Sequence, residues 1–551
     1  MKEKRNRKGK SMKKILLVAI NAKYIHSNLA VYSLKAAAGK YGDQIEIAEY
    51  TINQQPDQIL GDIYRRKPDV AAFSCYIWNG KLIGELMQEL PKILPHTEIW
   101  AGGPEVSYDA EKFLKKHPEI RGVMRAEGEG NFPKLASYYI EETGVLSEIE
   151  NLTYRDMDGN ICETPWAEPI SMDEMPFAYE NLHDFEHKII YYESSRGCPF
   201  RCSYCLSSID KRVRFRSLDL VKKELQVFLD ARVPQVKFVD RTFNCNPRRT
   251  VELLNWIQEH DNGVTNFHFE IAADITTEEE LAIMEQMRPG LIQLEIGVQS
   301  TNPKTVEAIH RTMDLTKLAE VVSRVKGFGN IHQHLDLIAG LPYENLESFQ
   351  KSFDDVYGMQ PDQLQLGFLK VLKGSGMKED ADGYEIRYHE HAPYEVLTTR
   401  WLNYGEVLTL KGVEEMVEVY YNSRQFDRTI AHIMEQYDSP YRFFLELAEY
   451  YDRKGFSGIG HSRIARYEIL RAFLEEKKLG GPDNDQCMVL DLYARENLKS
   501  RPAFAPDLSP YKEELKNLTR DYGRQVHVEV LEKASGPEYV MFDYRKRDPL
   551  T

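Results

Sequence analysis

The chain has 551 residues, of which 42% are hydrophobic and 28% charged, the composition of a globular protein with about three or four domains. Lysine and arginine number 71 against 86 aspartates and glutamates, a net charge of −15, which argues against a large phosphate-binding face and makes nucleic acid an unlikely partner. No apolar run approaches the roughly 20 residues needed to span a bilayer, so no membrane association is expected.

The first 20 residues, "MKEKRNRKGKSMKKILLVAI", look only superficially like a signal peptide. Their apolar part is too short and lacks a small-residue cleavage site. Residues 1–12 read as a disordered basic tail. The seven cysteines are sparse and odd in number, as in a cytoplasmic protein whose thiols stay reduced.

From 13 to 144, short apolar runs ("KILLVAI", "IEIAEYT", "DVAAFSCY", "EIWAGGPE", "GVMRAEG") alternate with helical patterns near 28–39, 56–66, 81–94, 110–116 and 132–140. This alternation predicts α/β architecture with a doubly wound, Rossmann-like or flavodoxin-like parallel sheet. Its ligand crevice would lie beyond the carboxyl ends of the strands, at 21–28, 74–79, 102–107 and 127–130. Residues 145–187 read as a linker, polar and proline-bearing, with a hairpin expected around "YRDMDGNI". Near 188 a second series begins: "KIIYYESSRG", "QVKFVD", "FHFEIAA", "LIQLEIGVQS", "HQHLDLIAG" and "QLQLGFLK". Six such units over 188–376 make a partial (β/α)6 barrel of the TIM type, with its chemistry at the strands' carboxyl ends. A capping box, Thr276 with Glu279, is expected to open one of its helices. From 377 the pattern becomes mostly helical and closes in a β-hairpin, "QVHVEVLE–KASGP–EYVMFDY". Nothing in this last domain names a chemistry.

Cys198, Cys202 and Cys205 crowd into "RGCPFRCSYC", directly after the first strand of the second series. A structural zinc site takes four ligands. Three thiolates on one loop suit a [4Fe-4S] cluster that keeps one iron open for a substrate or cofactor. Zinc, with Cys245 or His268 as a distant fourth ligand, is the alternative on the residues alone. Gly197 permits the tight turn out of the strand, Pro199 stiffens the loop, and Arg196 and Arg201 can offset the charge of a cluster. Cys75, Cys162, Cys245 and Cys487 read as small buried apolar residues.

The spacing Cys198-x3-Cys202-x2-Cys205, with Tyr204 before the last cysteine, resembles the signature of the radical S-adenosylmethionine (radical SAM) superfamily. The resemblance implies a [4Fe-4S] cluster on the three cysteines and S-adenosylmethionine chelated by the open iron. It also implies reductive cleavage to a 5′-deoxyadenosyl radical, and an electron donor such as flavodoxin or ferredoxin. By the same resemblance, Asp240 of "FVDRTFN", Glu270 of "FEIAAD", Gln299 and Ser300 of "EIGVQS", and the segment 336–342 cradle the cofactor. Arg241 departs from the consecutive acidic residues frequent in related sequences.

The N-terminal sheet resembles the cobalamin-binding domain of one radical SAM subclass. That implies Ser74, Gly102 and Gly103 along the nucleotide tail, and Glu127 and Gly128 in the last strand-end turn. The glycines suit close approach of a backbone to a ligand. The Asp-x-His-x-x-Gly pattern that places a histidine on cobalt is missing, since the loop reads "NAKYIHSNLA". His26 is nearby, but Ser27 and Asn28 read as helix caps, and cobalt is expected without a protein imidazole. The family reading is a cobalamin-dependent methyltransferase acting on an unactivated carbon. Radical rearrangement, RNA-base modification and a non-catalytic metal or cluster sensor are the alternatives. No motif names the substrate.

Overall fold

The first strand, β1 (Ile15–Asn21), is buried along its whole length, as a parallel strand covered on both faces must be. This computed structural model describes residues 13–210, 212–495, 497–498, 500–520, 525–533 and 536–545. The expected basic tail at 1–12 and the tip of the closing hairpin lie outside them. After β1 come α1 (Leu29–Ala37), β2 (Ile45–Thr51), α2 (Pro56–Arg66), β3 (Val70–Ser74), α3 (Gly80–Ile93), β4 (Glu98–Gly102), α4 (Pro104–Ser107), α5 (Ala110–Lys116), β5 (Gly122–Met124) and α6 (Phe132–Ile140). The strands run parallel in the order β2-β1-β3-β4-β5, the doubly wound arrangement. One face buries Val18, Ile20 and Phe73 against Ile59, Ile83 and Leu114. The other buries Leu17, Ala19 and Trp100 against Val31, Phe132 and Leu135.

The sheet does not stop at 144. The expected hairpin forms as β6 (Leu152–Arg155) and β7 (Ile161–Glu163), and β6 adds antiparallel to β5, giving seven strands. The buried Arg125 explains the docking: its guanidinium donates to the carbonyls of Leu152 and Thr164 and lies 4.5 Å from the Trp166 ring. The stretch expected as a linker therefore begins as part of the sheet.

The chain forms two compact units. The first continues with β8 (Ile190–Tyr192), β9 (Ser195–Arg196), β10 (Arg214–Phe215), α7 (Leu218–Asp230), β11 (Gln235–Phe238), α8 (Pro247–Glu259) and β12 (Asn266–Ile271). β8, β11 and β12 are parallel, with β11 in the middle. β9 and β10 form a short antiparallel ribbon that encloses the cysteine loop. Lys370–Gly383 and Arg387–Val396 belong to this unit as well. Lys373 pairs with Glu105 (3.1 Å) and Asp109 (3.2 Å), and Met377 N donates to Ser203 O (2.8 Å). These contacts hold 370–383, which spans the change of rhythm at 377, within the first unit.

The second unit holds the remaining three strands, β13 (Ile292–Gln299), β14 (His332–Ala339) and β15 (Gln363–Phe368), again parallel. All six predicted strands of the series are present, three in each unit. The capping box of α9 (Glu278–Glu285) is made by Thr277 and Glu280, one residue later than expected, with both reciprocal bonds in place. The helices Tyr404–Val417, Asp427–Met434, Pro440–Lys454, Arg463–Glu476 and Pro482–Arg495 follow. They enclose buried aromatics such as Tyr420 and Tyr451, whose hydroxyls are 2.6 Å apart. Val526–Lys533 pairs antiparallel with Gly536–Asp543, as predicted.

Within this unit the fully buried Glu344 accepts hydrogen bonds from Ser300 Oγ (2.8 Å) and Ser352 Oγ (2.9 Å). Burial pushes its carboxyl up to about 7, and the two hydroxyls only partly oppose that. The folded chain therefore keeps this proton to a higher pH than the unfolded chain does. Stability should fall as pH rises from about 4.5 towards 7, by about 3 kcal/mol in total. Glu344→Gln keeps an acceptor for both serines and removes the titration. Denaturant unfolding should show the variant more stable than the native chain at pH 8 and equal to it near pH 5.

Candidate active site

Gly197 opens the cysteine loop at φ +97°, and a Cβ there would lie 2.2 Å from Arg212 O. Only glycine fits this close approach. The loop then tightens in a turn closed by Cys205 N on Cys202 O (3.1 Å), with the half-buried Tyr204 inside it. All three cysteines are free thiols; Cys202 is buried and the other two are half-buried. Cys198 Sγ lies 3.6 Å from Thr242 Oγ1. Burial, then the charges of Asp240 and Cys198, push the Cys245 thiol up to about 11.

Asp240, expected to contact the cofactor, faces inward. It is buried and accepts from Ser194 N (2.7 Å), Ser194 Oγ (2.7 Å) and Ser195 Oγ (2.6 Å). Its carboxylate fixes the strand end that launches the cysteine loop. Arg241 is exposed and lines the cavity described below. Ser300 is likewise fully buried, with its hydroxyl on Glu344. Buried polar groups bonded in this way have their hydrogen bonds satisfied within the protein.

Glu270 is half-buried on β12. In the second unit, Gln299 sits at φ +73° beside a bulge in β13. Its amide folds back over Gly297, so that Gln299 Nε2 lies 2.3 Å from where a Gly297 Cβ would be. Gln299 Oε1 is buried without a hydrogen-bond partner among the described residues, and such an acceptor fits a ligand hydroxyl or amine. Gly297 is in register with Asp336. Ligand atoms of Glu295, His334 and Asp336 lie within 4.8 Å of one another. The sequence reading missed Glu295 and His334, although their alternation along β13 and β14 on the face of Gln299 and Asp336 was a usable signal.

The first unit contains a cavity of about 740 Å³. Ser74, Gly102, Gly103, Glu127 and Gly128 all line it, as expected of the strand ends, and Arg196, Gly197 and Arg241 line it from the second series. Gly103 has φ +105°, and a Cβ would come 2.5 Å from Cys75 O. Tyr76 and Trp78 stack at 4.4 Å and form another wall.

The loop at 21–28 is shaped by Glu49. That carboxylate accepts from Asn21 Nδ2 (3.0 Å), Asn28 N (3.0 Å) and Tyr32 OH (2.8 Å), and pairs with Lys188. Burial works against its charge, yet Lys188 and these donors hold Glu49 below the usual carboxylate range. Asn28 caps α1, as expected. His26 lines the cavity with its Nδ1 2.6 Å from Tyr191 OH; burial, then Lys23 and Lys237, hold the ring below its ordinary value.

Arg196 lies two residues before Cys198 and pairs with Glu193 (2.6 Å), Glu129 (3.0 Å) and Glu127 (3.2 Å). Glu127 also pairs with Arg214, across the ribbon from Arg196. Burial opposes the Arg196 charge, but Glu193 and Glu129 keep it well above its usual value. Arg196 was expected to offset cluster charge; three carboxylates already surround it.

Three family models match the chain: B12 binding domain at 15–136, Radical SAM superfamily at 192–356, and Protein of unknown function (DUF4080) at 382–541. Two of these models, a B12 binding domain followed by a radical SAM domain, stand in the order that the sequence resemblance implies. An uncharacterised methyltransferase of Pyrococcus horikoshii is 25% identical over 316 residues, 56% of this chain and 66% of its own. The cobalamin-dependent radical SAM methyltransferase TokK of Streptomyces tokunonensis is 24% identical over 349 residues, 59% of this chain and 48% of its own. The chain thus spans about half to two thirds of these curated relatives. The structure of the cobalamin-dependent S-adenosylmethionine radical enzyme OxsB, with aqua-cobalamin and S-adenosylmethionine bound, superposes with a TM-score of 0.59 at 14% identity. It covers 92% of this chain and 81% of its own, a likeness of fold. Among the described residues no helix is long and apolar enough to cross a membrane.

Removing Arg196 would leave Glu193 and Glu129 without their cation, while Glu127 would keep Arg214. Arg196→Met should therefore destabilise the protein by about 1.5–3 kcal/mol, read as a lower denaturant midpoint. Adding Glu129→Gln should restore part of that loss, as coupled neighbours do in a double-mutant cycle.

Proposed function

We propose that this protein is a cobalamin-dependent radical SAM methyltransferase that acts on an unactivated carbon. One observation carries the reading: a single cavity has the sheet's strand ends on one wall and the start of the cysteine loop on another. In this reading Cys198, Cys202 and Cys205 hold the [4Fe-4S] cluster, and Ser74, Gly102, Gly103 and Gly128 take the corrinoid. Glu270 takes S-adenosylmethionine. When bound, the cluster supplies the electron that cleaves S-adenosylmethionine and the corrinoid carries the methyl group.

The chain's own residues position and shield these groups. Gly197 turns the backbone so that three thiols share one loop. Asp240 fixes the strand end before it, and the Arg196 network holds the loop against the sheet. Tyr76 and Trp78 keep water from one side of the cavity, where reactive species must be protected. A reductant of the flavodoxin or ferredoxin kind would deliver the electron, in keeping with free thiols and a cytoplasmic setting.

Anaerobically prepared protein should carry iron and sulfide that are lost when the three loop cysteines are changed to Ala and kept in Cys245→Ala. An equal requirement for Cys245 would favour a closed, four-ligand site. With its true substrate, turnover should yield 5′-deoxyadenosine and S-adenosylhomocysteine in equal amounts. Deoxyadenosine alone, with no methyl mass gained by the product, would replace methyl transfer with rearrangement. Spin resonance of bound cob(II)alamin should show no protein imidazole nitrogen. A nitrogen signal that disappears in His26→Ala would assign that ring to cobalt.

A further inference from the structure

We propose that Tyr343, Tyr384 and Trp401 form an aromatic platform that binds a flat, conjugated ring of the substrate. The proposal rests on the methyltransferase reading above only in calling that ligand a substrate, and it gives the substrate a chemical class. All three residues belong to the second unit. Tyr343 falls within the radical SAM match, and Tyr384 and Trp401 fall within the match at 382–541. Tyr343 stands just past the carboxyl end of β14, the end at which such strands carry chemistry. It takes φ +62°, a conformation that bulky side chains rarely adopt. Its neighbours Pro342 and Glu344 are buried, yet Tyr343 itself is 44% exposed. Burial therefore does little to offset the strain, and strain of this kind collects at ligand-binding positions.

The backbone around each ring is pinned. Asn302 Nδ2 donates to Tyr343 O (2.9 Å), and the adjoining Glu344 is held by Ser300 and Ser352. Trp401 N and Leu402 N both donate to Thr399 Oγ1 (3.1 and 3.0 Å), and Arg400 N donates to Tyr384 O (3.2 Å), which ties those two segments together. The ring centres of Tyr343 and Trp401 are 4.6 Å apart, and Tyr384 stands against them at 6.2 and 6.0 Å. Arg400 lies 5.7 Å from the Trp401 ring and pairs with Glu385 (3.1 Å), so a balanced ion pair borders the cluster. Trp401 and Tyr384 are half-buried and form the backing, while Tyr343 presents the open surface. Exposed apolar surface rimmed by polar groups marks a binding site. Aromatic rings gain most from offset or tilted contact with another π system. A flat conjugated ring makes that contact with Tyr343, whereas a saturated ring of the same size gains only apolar burial.

The test uses the full chain loaded with cluster and cobalamin. Two probes with the same carbon skeleton and charge are titrated by ligand-observed NMR, independently of turnover: naphthalene carboxylate, which is flat and aromatic, and its fully saturated decalin counterpart. The naphthalene probe should bind about threefold to tenfold more tightly. Tyr343→Leu keeps side-chain bulk and removes the π face, so it should erase that preference and leave the decalin probe's affinity unchanged. Tyr343→Gly relieves the strained backbone, so it should lose the preference with no fall in the denaturant midpoint. Equal native affinities for the two probes would overturn the proposal, as would a preference that survives in Tyr343→Leu. A lowered midpoint in Tyr343→Gly with the preference intact would make Tyr343 structural. An equal loss on Ile459→Ser, at an exposed apolar residue elsewhere in the same unit, would show general stickiness and also overturn it. Failure to take up cobalamin would count against the methyltransferase reading, and the comparison of the two probes would still decide the platform.

Discussion

One half-buried cation holds the site together. Arg196 receives Glu127 and Glu129 from the last strand-end turn of the N-terminal sheet and Glu193 from the strand end beside it. Two residues later the cysteine loop begins. The cavity has walls from both regions, so its shape depends on this one guanidinium staying among its carboxylates. Half-buried charges in such a network interact more strongly than fully exposed pairs do. The arrangement fixes position at the expense of freedom, which suits a site where two cofactors must meet one substrate.

The same device recurs at other strand ends. Glu49 organises the loop after β1, Asp240 the loop before the cysteines, and Glu344 holds Ser300 just after β13. Each carboxylate is buried or nearly so and bonded to neighbouring donors. Chemistry in such folds sits on loops at the strands' carboxyl ends, and loops are the mobile part of a protein. Buried acids at their bases convert those loops into rigid platforms.

This explains what could be read from the sequence and what could not. The strands, most helices, the cysteine trio and the strand-end glycines were legible. Periodicity marks the first two, spacing the third, and a Cβ clash the last: Gly103 and Gly197 meet backbone atoms at 2.5 and 2.2 Å. Asp240 and Ser300 were read as cofactor contacts from their strand-end positions, and the structure adds their bonds to Ser194, Ser195 and Glu344. Only tertiary contact reveals those bonds: Ser194 and Ser195 lie 46 and 45 positions from Asp240, and Glu344 lies 44 from Ser300. The docking of β6 on β5 was hidden for a similar reason, since it depends on Arg125 reaching carbonyls 27 and 39 residues away.

Glu127 shows how both readings of a strand-end acid can meet in one residue. It lines the cavity, as expected, yet it pairs with Arg196 and Arg214. Those two arginines are register partners on β9 and β10, and like charges directly opposite on a ribbon repel. A shared carboxylate between them turns that repulsion into a clamp. The ribbon closes the chain segment that carries Cys198, Cys202 and Cys205, so the loop's closure needs an acid supplied by the N-terminal sheet. The cysteine loop and the cobalamin-type sheet are therefore built to fold against one another, and neither wall of the cavity is complete without a charge supplied by the other.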